Sequence, residues 1–284
     1  MNSVYLEKTD IGATLATWIY CSMQMLYYAD NIGLKGYISW PPNRSLQPHQ
    51  DQAAWARCPN MYEWWFKQPY FDSAPPRGET WIAELAGVGP RNLFFQPLDA
   101  IKQYYRDHVV FNAEVKSRVD MAAVKYGNLD RAIGVSWRGC DSTDDGRPRL
   151  PIEVYYPFID DILAEDPGLK ILATAEEATV VDKLKARYPQ TVAIDEAFSA
   201  PWEYRKHSEY VNPASGYERG VQTCLMVGLL SQCKYYVKNR SSMSSWAAWL
   251  SRGKIINLAH PENLGFNFDL TKAEIDGKLV PLYR

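Results

Sequence analysis

Cysteine is scarce and unpatterned in this chain. Its five cysteines, Cys21, Cys58, Cys140, Cys224 and Cys233, include no CxxC pair. An odd, scattered set argues against both a disulfide framework and a zinc site, and it fits a reducing compartment, so a cytoplasmic location is expected. An excess of either charge is also missing: 31 basic residues face 33 acidic ones, for a net charge of −2. That balance gives a nucleic-acid partner no support, although a local basic patch would escape the average. The first ten residues, MNSVYLEKTD, lack a basic segment followed by an apolar one, so no signal peptide is expected. The uncharged run over 11–29 is not continuously apolar, because Gly12, Thr14, Thr17, Ser22 and Gln24 interrupt it. A buried helix is expected there, not a membrane span. No short internal repeat is visible. No DxD-type metal pair is evident either; Asp144 and Asp145 are only superficial candidates, and neither a metal nor another cofactor is expected.

Aromatics are abundant, with 10 Trp and 19 Tyr. Flat rings pack against sugar faces and nucleobases. The same rings fill cores, and for any single Trp that is the commoner role. The length suits one large domain or two ordinary ones.

The chain opens as strand, helix, strand. Residues Ser3 to Leu6 read as a strand. Leu15, Trp18, Ile19, Met23 and Leu26 recur at helical spacing up to about Asp30, and Lys35 to Trp40 reads as the second strand. Residues 43–91 show no sustained period. Leu98 to Tyr126 reads as one amphipathic helical stretch carrying Ile101, Tyr104, Tyr105, Val115, Val119 and Ala122. From Arg131 the alternation is regular. Strands are expected at 132–137, 170–174, 191–194, 235–238 and 254–258, separated by helices at 152–164, 176–188, 219–230 and 244–250. Such alternation implies an α/β protein with a parallel, doubly wound sheet. The expected organisation is two Rossmann-like domains facing a cleft, residues 1–130 and 131–284.

Ligands of parallel sheets sit beyond the carboxyl ends of the strands, which singles out four segments. In Ser136-Trp137-Arg138-Gly139-Cys140-Asp141, Arg138 can fork onto a diphosphate, Gly139 permits close backbone approach, and Asp141 can hold the loop. An Arg–Asp salt bridge closing a turn would explain the same residues. In Thr174-Ala175-Glu176-Glu177 the acids either complement a helix dipole, or Thr174, Ala175 and Glu176 meet a nucleoside. In Lys238-Asn239-Arg240-Ser241-Ser242-Met243-Ser244-Ser245 a strand leads through four serines into a helix. This makes a natural phosphate cradle, whereas a cap by Ser242 or Ser244 would account for one serine only. The long loop 195–216 carries Glu196, Arg205 and His207.

Three stretches together, GVSWRGCDS, GLKILATAEEATVVDKLKARYP and YERGVQTCLMVGLLSQCKYYVKNRSSMSSWAAWL, resemble the C-terminal half of the fucosyltransferase-like superfamily. That group holds the α-1,2-, α-1,6- and nodulation fucosyltransferases and the protein O-fucosyltransferases. The resemblance covers about residues 131–258. In the first half only the opening around Thr9 to Leu15 is similar. The resemblance implies a GT-B fold with the donor on the second domain, and metal-independent, inverting transfer. It places Arg138 at the diphosphate, Ser241 and Ser242 at the serine pair beside it, and Glu176 at an acidic donor-site position that Ala175 precedes. It also shows two departures. Ser136 stands where the group has His, and Met226 falls near an Asp that works with that His in reading guanine. The donor implied is therefore either GDP-fucose-like or a UDP-sugar such as a pentose donor.

The expected reaction is attack by an acceptor hydroxyl, on a glycan or another molecule, at the anomeric carbon of a nucleotide sugar. Arg138, Arg240 and the serine cradle offset the leaving-group charge. Asp10, Asp141 and Asp144 are candidates for the general base, Asp10 because its loop is expected to face the cleft. The rival readings are an epimerase using the same donor, a catalytically inactive carbohydrate-binding protein, and a phage-type enzyme glycosylating DNA.

Overall fold

The computed structural model describes residues 3–7, 15–40, 60–74, 81–83, 93, 96–139, 150–201, 213–239, 241–258, 272–275 and 278–281. The chain divides into two units, Met1–Asp120 with Ala214–Cys224, and Met121–Pro213 with Leu225–Arg284.

The first unit runs through β1 (Ser3–Glu7), α1 (Leu15–Asn31), β2 (Lys35–Ser39), β3 (Phe66–Lys67), β4 (Trp81–Ala83), α2 (Leu98–His108), β5 (Val110–Phe111) and most of α3 (Ala113–Tyr126). Strands β2, β1 and β4 form a parallel sheet in that order. Helix α1 returns the chain between β1 and β2 and buries Leu15, Trp18, Ile19, Met23 and Leu26, the expected apolar face. Gly33, at φ 78°, ends it, with the Leu34 N–H donating to Ala29 O at 3.0 Å. Among the described residues no helix is long and apolar enough to cross a membrane.

The open edge of β2 is closed by side-chain amides. Gln68 accepts from the Ile38 N–H and donates to the Ile38 carbonyl, at 3.0 and 2.8 Å. Asn60 accepts from the Trp40 N–H at 3.0 Å. These bonds occupy backbone groups that would otherwise template a foreign strand. Trp40 sits edge-on to Trp18 and Tyr62, with its indole N–H on Ser22 Oγ at 2.8 Å. Many of the aromatics are therefore core: Trp18, Trp40, Trp65 and Trp246 are among the largest fully buried side chains.

The helical stretch expected over 98–126 is two helices. Val110 and Phe111 leave helical geometry to pair with β3. Asn112 then starts α3, accepting from the Val115 N–H at 2.9 Å while donating to Trp64 O at 2.9 Å. Apolar spacing ran through this break because both helices bury the same kind of face.

The second unit carries β6 (Ala132–Trp137), α4 (Tyr156–Glu165), β7 (Lys170–Ala175), α5 (Ala178–Arg187), β8 (Thr191–Ala193), the end of α6 (Gly216–Leu230), β9 (Tyr235–Asn239), α7 (Ser242–Leu250), β10 (Lys254–Leu258), β11 (Lys272–Ile275) and β12 (Lys278–Pro281). Five parallel strands lie in the order β10-β9-β6-β7-β8, as the alternation implied. An antiparallel hairpin, β11 and β12, extends the β10 edge, an addition sequence reading did not foresee.

Strand β6 is buried along its whole length. Its odd-numbered side chains, Ile133, Val135 and Trp137, join Ile171, Ala173, Val237 and Ile256 in one core with Ile159, Ile162, Val180, Val181 and Leu184 of α4 and α5. The even-numbered side turns to α6: a Cβ on Gly134 would lie 3.1 Å from Leu230 Cδ2 and from Cys233 Sγ. Helices on both faces make this sheet doubly wound.

Candidate functional site

Arg138 and Gly139 follow β6 directly, Glu176 follows β7, and Asn239 ends β9. These three strands are neighbours at the centre of the sheet, so parallel pairing gathers their carboxyl ends. Register is tight there: Ser136 lies beside Thr174 and Lys238, and Trp137 beside Ala175.

A continuous set of polar contacts joins these ends. Arg138 Nε lies 3.2 Å from Glu176 Oε1, in an ion pair whose two side chains are only 19% and 16% exposed. The other carboxylate oxygen accepts from the Gly139 N–H at 3.1 Å. The Asn239 side chain holds the Arg138 backbone from the opposite side. Its Oδ1 accepts from the Arg138 N–H at 3.0 Å, and its Nδ2 donates to the Arg138 carbonyl at 2.5 Å. Ser244 Oγ donates to the Asn239 carbonyl at 2.7 Å. Ser241 caps α7 by accepting from the Ser244 N–H at 3.0 Å, and it donates to Ser244 Oγ at 2.9 Å. The path therefore runs from Glu176 through Arg138 and Asn239 to the first turn of α7.

The expected residues fall into two groups. Arg138, Glu176 and Ser241 belong to this network. Ser242 opens α7 with its side chain exposed. Ser136, Thr174 and Met226 belong to the α6 side of the sheet. Ser136 Oγ is hydrogen-bonded to Tyr236 Oη at 2.7 Å, and Thr174 Oγ1 donates to Met226 Sδ at 3.4 Å. Both hydroxyls are buried, and burial pushes the Tyr236 phenol well above its ordinary pKa. Ala175 faces the α4–α5 core. Asp10, Asp141 and Arg240 lie outside the described residues, as do Asp144, Asp145, Arg205, His207, Cys58 and Cys140.

Two local expectations change. The cap of α7 is Ser241, not Ser242 or Ser244, because β9 runs through Asn239 and the helix starts earlier. Glu176 precedes α5, whose first turn carries no acid, so its carboxylate serves Arg138 and Gly139 and not the helix dipole. The Arg salt bridge thus exists, with Glu176 as its described partner. Asn239 is the residue that sequence reading passed over. Its signal was a short amide-bearing side chain at a strand end beside the Arg138 loop.

No protein-family model and no curated relative matches the chain. Solved structures do. The α-1,6-fucosyltransferase NodZ, from a crystal soaked with GDP-fucose, is 15% identical, with a TM-score of 0.56 over 99% of this chain and 99% of its own. Fucosyltransferase NodZ from Bradyrhizobium is 14% identical, with a TM-score of 0.53 over 90% of this chain and 95% of its own. Arabidopsis thaliana FUT1, in complex with GDP, is 13% identical, with a TM-score of 0.58 over 92% of this chain and 71% of its own. At such identities the likeness is one of fold. The alternating strands and helices of two α/β units, matched over nearly the whole chain by these structures, give this protein the GT-B fold that these fucosyltransferases share.

Proposed function

We propose that this protein is a glycosyltransferase that takes a sugar from a nucleoside-diphosphate sugar and passes it to an acceptor hydroxyl. The observation that carries the reading is the Arg138 network: an arginine after the central strand, held on both sides, leading to the N-terminus of α7. A guanidinium matches two phosphoryl oxygens in fork geometry, and a helix N-terminus adds N–H donors and a favourable dipole. The fold likeness to structures determined with GDP or GDP-fucose supports the same reading.

In this reading the second unit binds the donor and the first serves the acceptor. The acceptor oxygen bonds to the anomeric carbon from the face opposite the diphosphate. The bond from that carbon to the diphosphate oxygen breaks, and configuration inverts. Charge grows on the leaving diphosphate, where Arg138 and the α7 terminus offset it without a metal. The acceptor proton passes to a carboxylate, with Asp10 and Asp141 as the candidates. Ser136 and Met226 stand where the resemblance puts the guanine-reading His and Asp, and their side chains are bonded to Tyr236 and Thr174, which favours a donor other than GDP-fucose, such as a UDP-sugar.

The test is sugar release or transfer from GDP-, UDP-, dTDP- and CMP-sugars, with and without EDTA. One donor class is expected to turn over, unaffected by chelator. R138A is expected to lose at least about a thousandfold in turnover, an electrostatic contribution of roughly 4 kcal/mol. Near-normal turnover by R138A overturns the assignment.

A further inference from the structure

We infer that Asn239 is a positioning residue for Arg138, a role that rests on the diphosphate reading above. Strand β6 ends at Trp137, and its pairing with β9 ends one residue earlier, at Ser136 opposite Lys238. Past that point the described part of β9 continues only through Asn239, whose side chain holds Arg138 on that side. The Asn239 carboxamide takes over that function: it accepts from the Arg138 N–H and donates to the Arg138 carbonyl, as a neighbouring strand would. The φ, ψ state of Arg138, and so the direction its side chain leaves the backbone, is then set by a planar group with one acceptor and one donor.

The same residue reaches α7. Its own carbonyl receives the Ser244 hydroxyl, and Ser244 is bonded to the cap Ser241. Asn239 is 7% exposed, Ser241 7% and Ser244 1%, so these bonds are shielded from water. A phosphate group spanning the Arg138 guanidinium and the α7 terminus needs both at a fixed separation, because small misplacements erase the advantage of a preorganised site. Asn239 sets that separation through covalent and hydrogen bonds on one residue. Asp at this position would accept from the Arg138 N–H but present an oxygen to the Arg138 carbonyl. Only the amide satisfies both.

The prediction concerns the phosphate increment, the ratio of affinities for a nucleoside diphosphate and its monophosphate. It is read by calorimetry with GDP and GMP, and with UDP and UMP, on the full chain. N239A is expected to reduce the increment about tenfold while affinity for the monophosphate stays nearly unchanged, and to lower the melting temperature because it leaves the Arg138 N–H and carbonyl without the carboxamide. N239T, a β-compatible residue with one hydroxyl, serves one of the two bonds and is expected to lie between; it also carries the test if N239A folds poorly. In an R138A background the N239A change is expected to have no further effect on the increment. A wild-type chain without any increment sinks the diphosphate reading itself. A wild-type increment that N239A and N239T keep in full, or an N239A loss that persists on R138A, overturns the positioning role.

Discussion

Arg138 takes its place from a strand end and its orientation from two neighbours. Glu176 engages the guanidinium, and Asn239 engages the peptide on either side of Cα. The sequence made the arginine conspicuous, since it follows an apolar strand and precedes glycine. It left the partners open because Glu176 arrives from 38 positions away and Asn239 from 101, and only the order of the parallel strands brings them together. Ser241 is a different case. Four serines read as a cradle, yet Ser241 and Ser244 spend their hydroxyls on each other, the α7 cap and Asn239. Replacing Ser241 by Ala is expected to cost about 1–2 kcal/mol of stability, since it removes a cap and strands the Ser244 N–H. Urea denaturation checks this, and an unchanged midpoint contradicts the capping role.

Elements in the second unit were legible because each strand is a short apolar run set off by turn residues, and all five expected parallel strands are present. Boundaries moved by one to three residues for local reasons. The helix expected from Ile152 opens with a 3-10 turn over Ile152–Tyr155, and α6 begins three residues earlier than its apolar spacing suggested. The hairpin β11–β12 carried a turn signal of its own, Asp276-Gly277 between two four-residue runs, but the runs are too short and mixed to stand out by their apolar pattern. One turn is decided by a close approach. A Cβ on Gly253, between α7 and β10, would lie 2.2 Å from the Cys233 carbonyl oxygen and 2.6 Å from that of Lys234. Both are backbone atoms, and the neighbouring Lys254 N–H donates to Lys234 O at 2.9 Å, so the turn cannot shift without breaking sheet contacts. Gly253→Ala is expected to cost about 1–3 kcal/mol, or a melting shift of roughly 2–10 °C. A melting curve that overlays the wild type refutes the steric argument.

At the scale of the whole molecule, acid stability should report on the tie that follows β8. Glu196 accepts from Lys125 at 2.8 Å and from the Tyr126 hydroxyl, while Tyr126 Oη accepts from the Asp195 N–H at 2.8 Å. Burial pushes the Glu196 carboxyl up, but donation from Lys125 and Tyr126 outweighs it, and the net shift is below the usual 4.5. Burial and the Glu196 bond push the Tyr126 phenol up to about 12. A depressed folded pKa gives stability that is present in full above about 4.5 and lost as the pH falls through the folded value. E196Q is therefore expected to be less stable than wild type at pH 7 and equal to it in acid. A difference that does not shrink with falling pH counts against the tie. The glycosyltransferase reading was legible at this scale from motif order in the second half. In the first half only the opening strand, helix and strand were legible; Asn60 and Gln68, which close the sheet edge through side chains, leave no periodic trace.

The most direct test of the central claim is a thermal-shift panel of GDP-, UDP-, dTDP- and CMP-sugars on wild type and R138A. The account predicts that one base class stabilises wild type, by about 2.7 kcal/mol at a ligand concentration 100 times Kd, and leaves R138A unmoved although both melt alike without ligand. Equal stabilisation of R138A, or no response of the wild type to any nucleotide sugar, would contradict it.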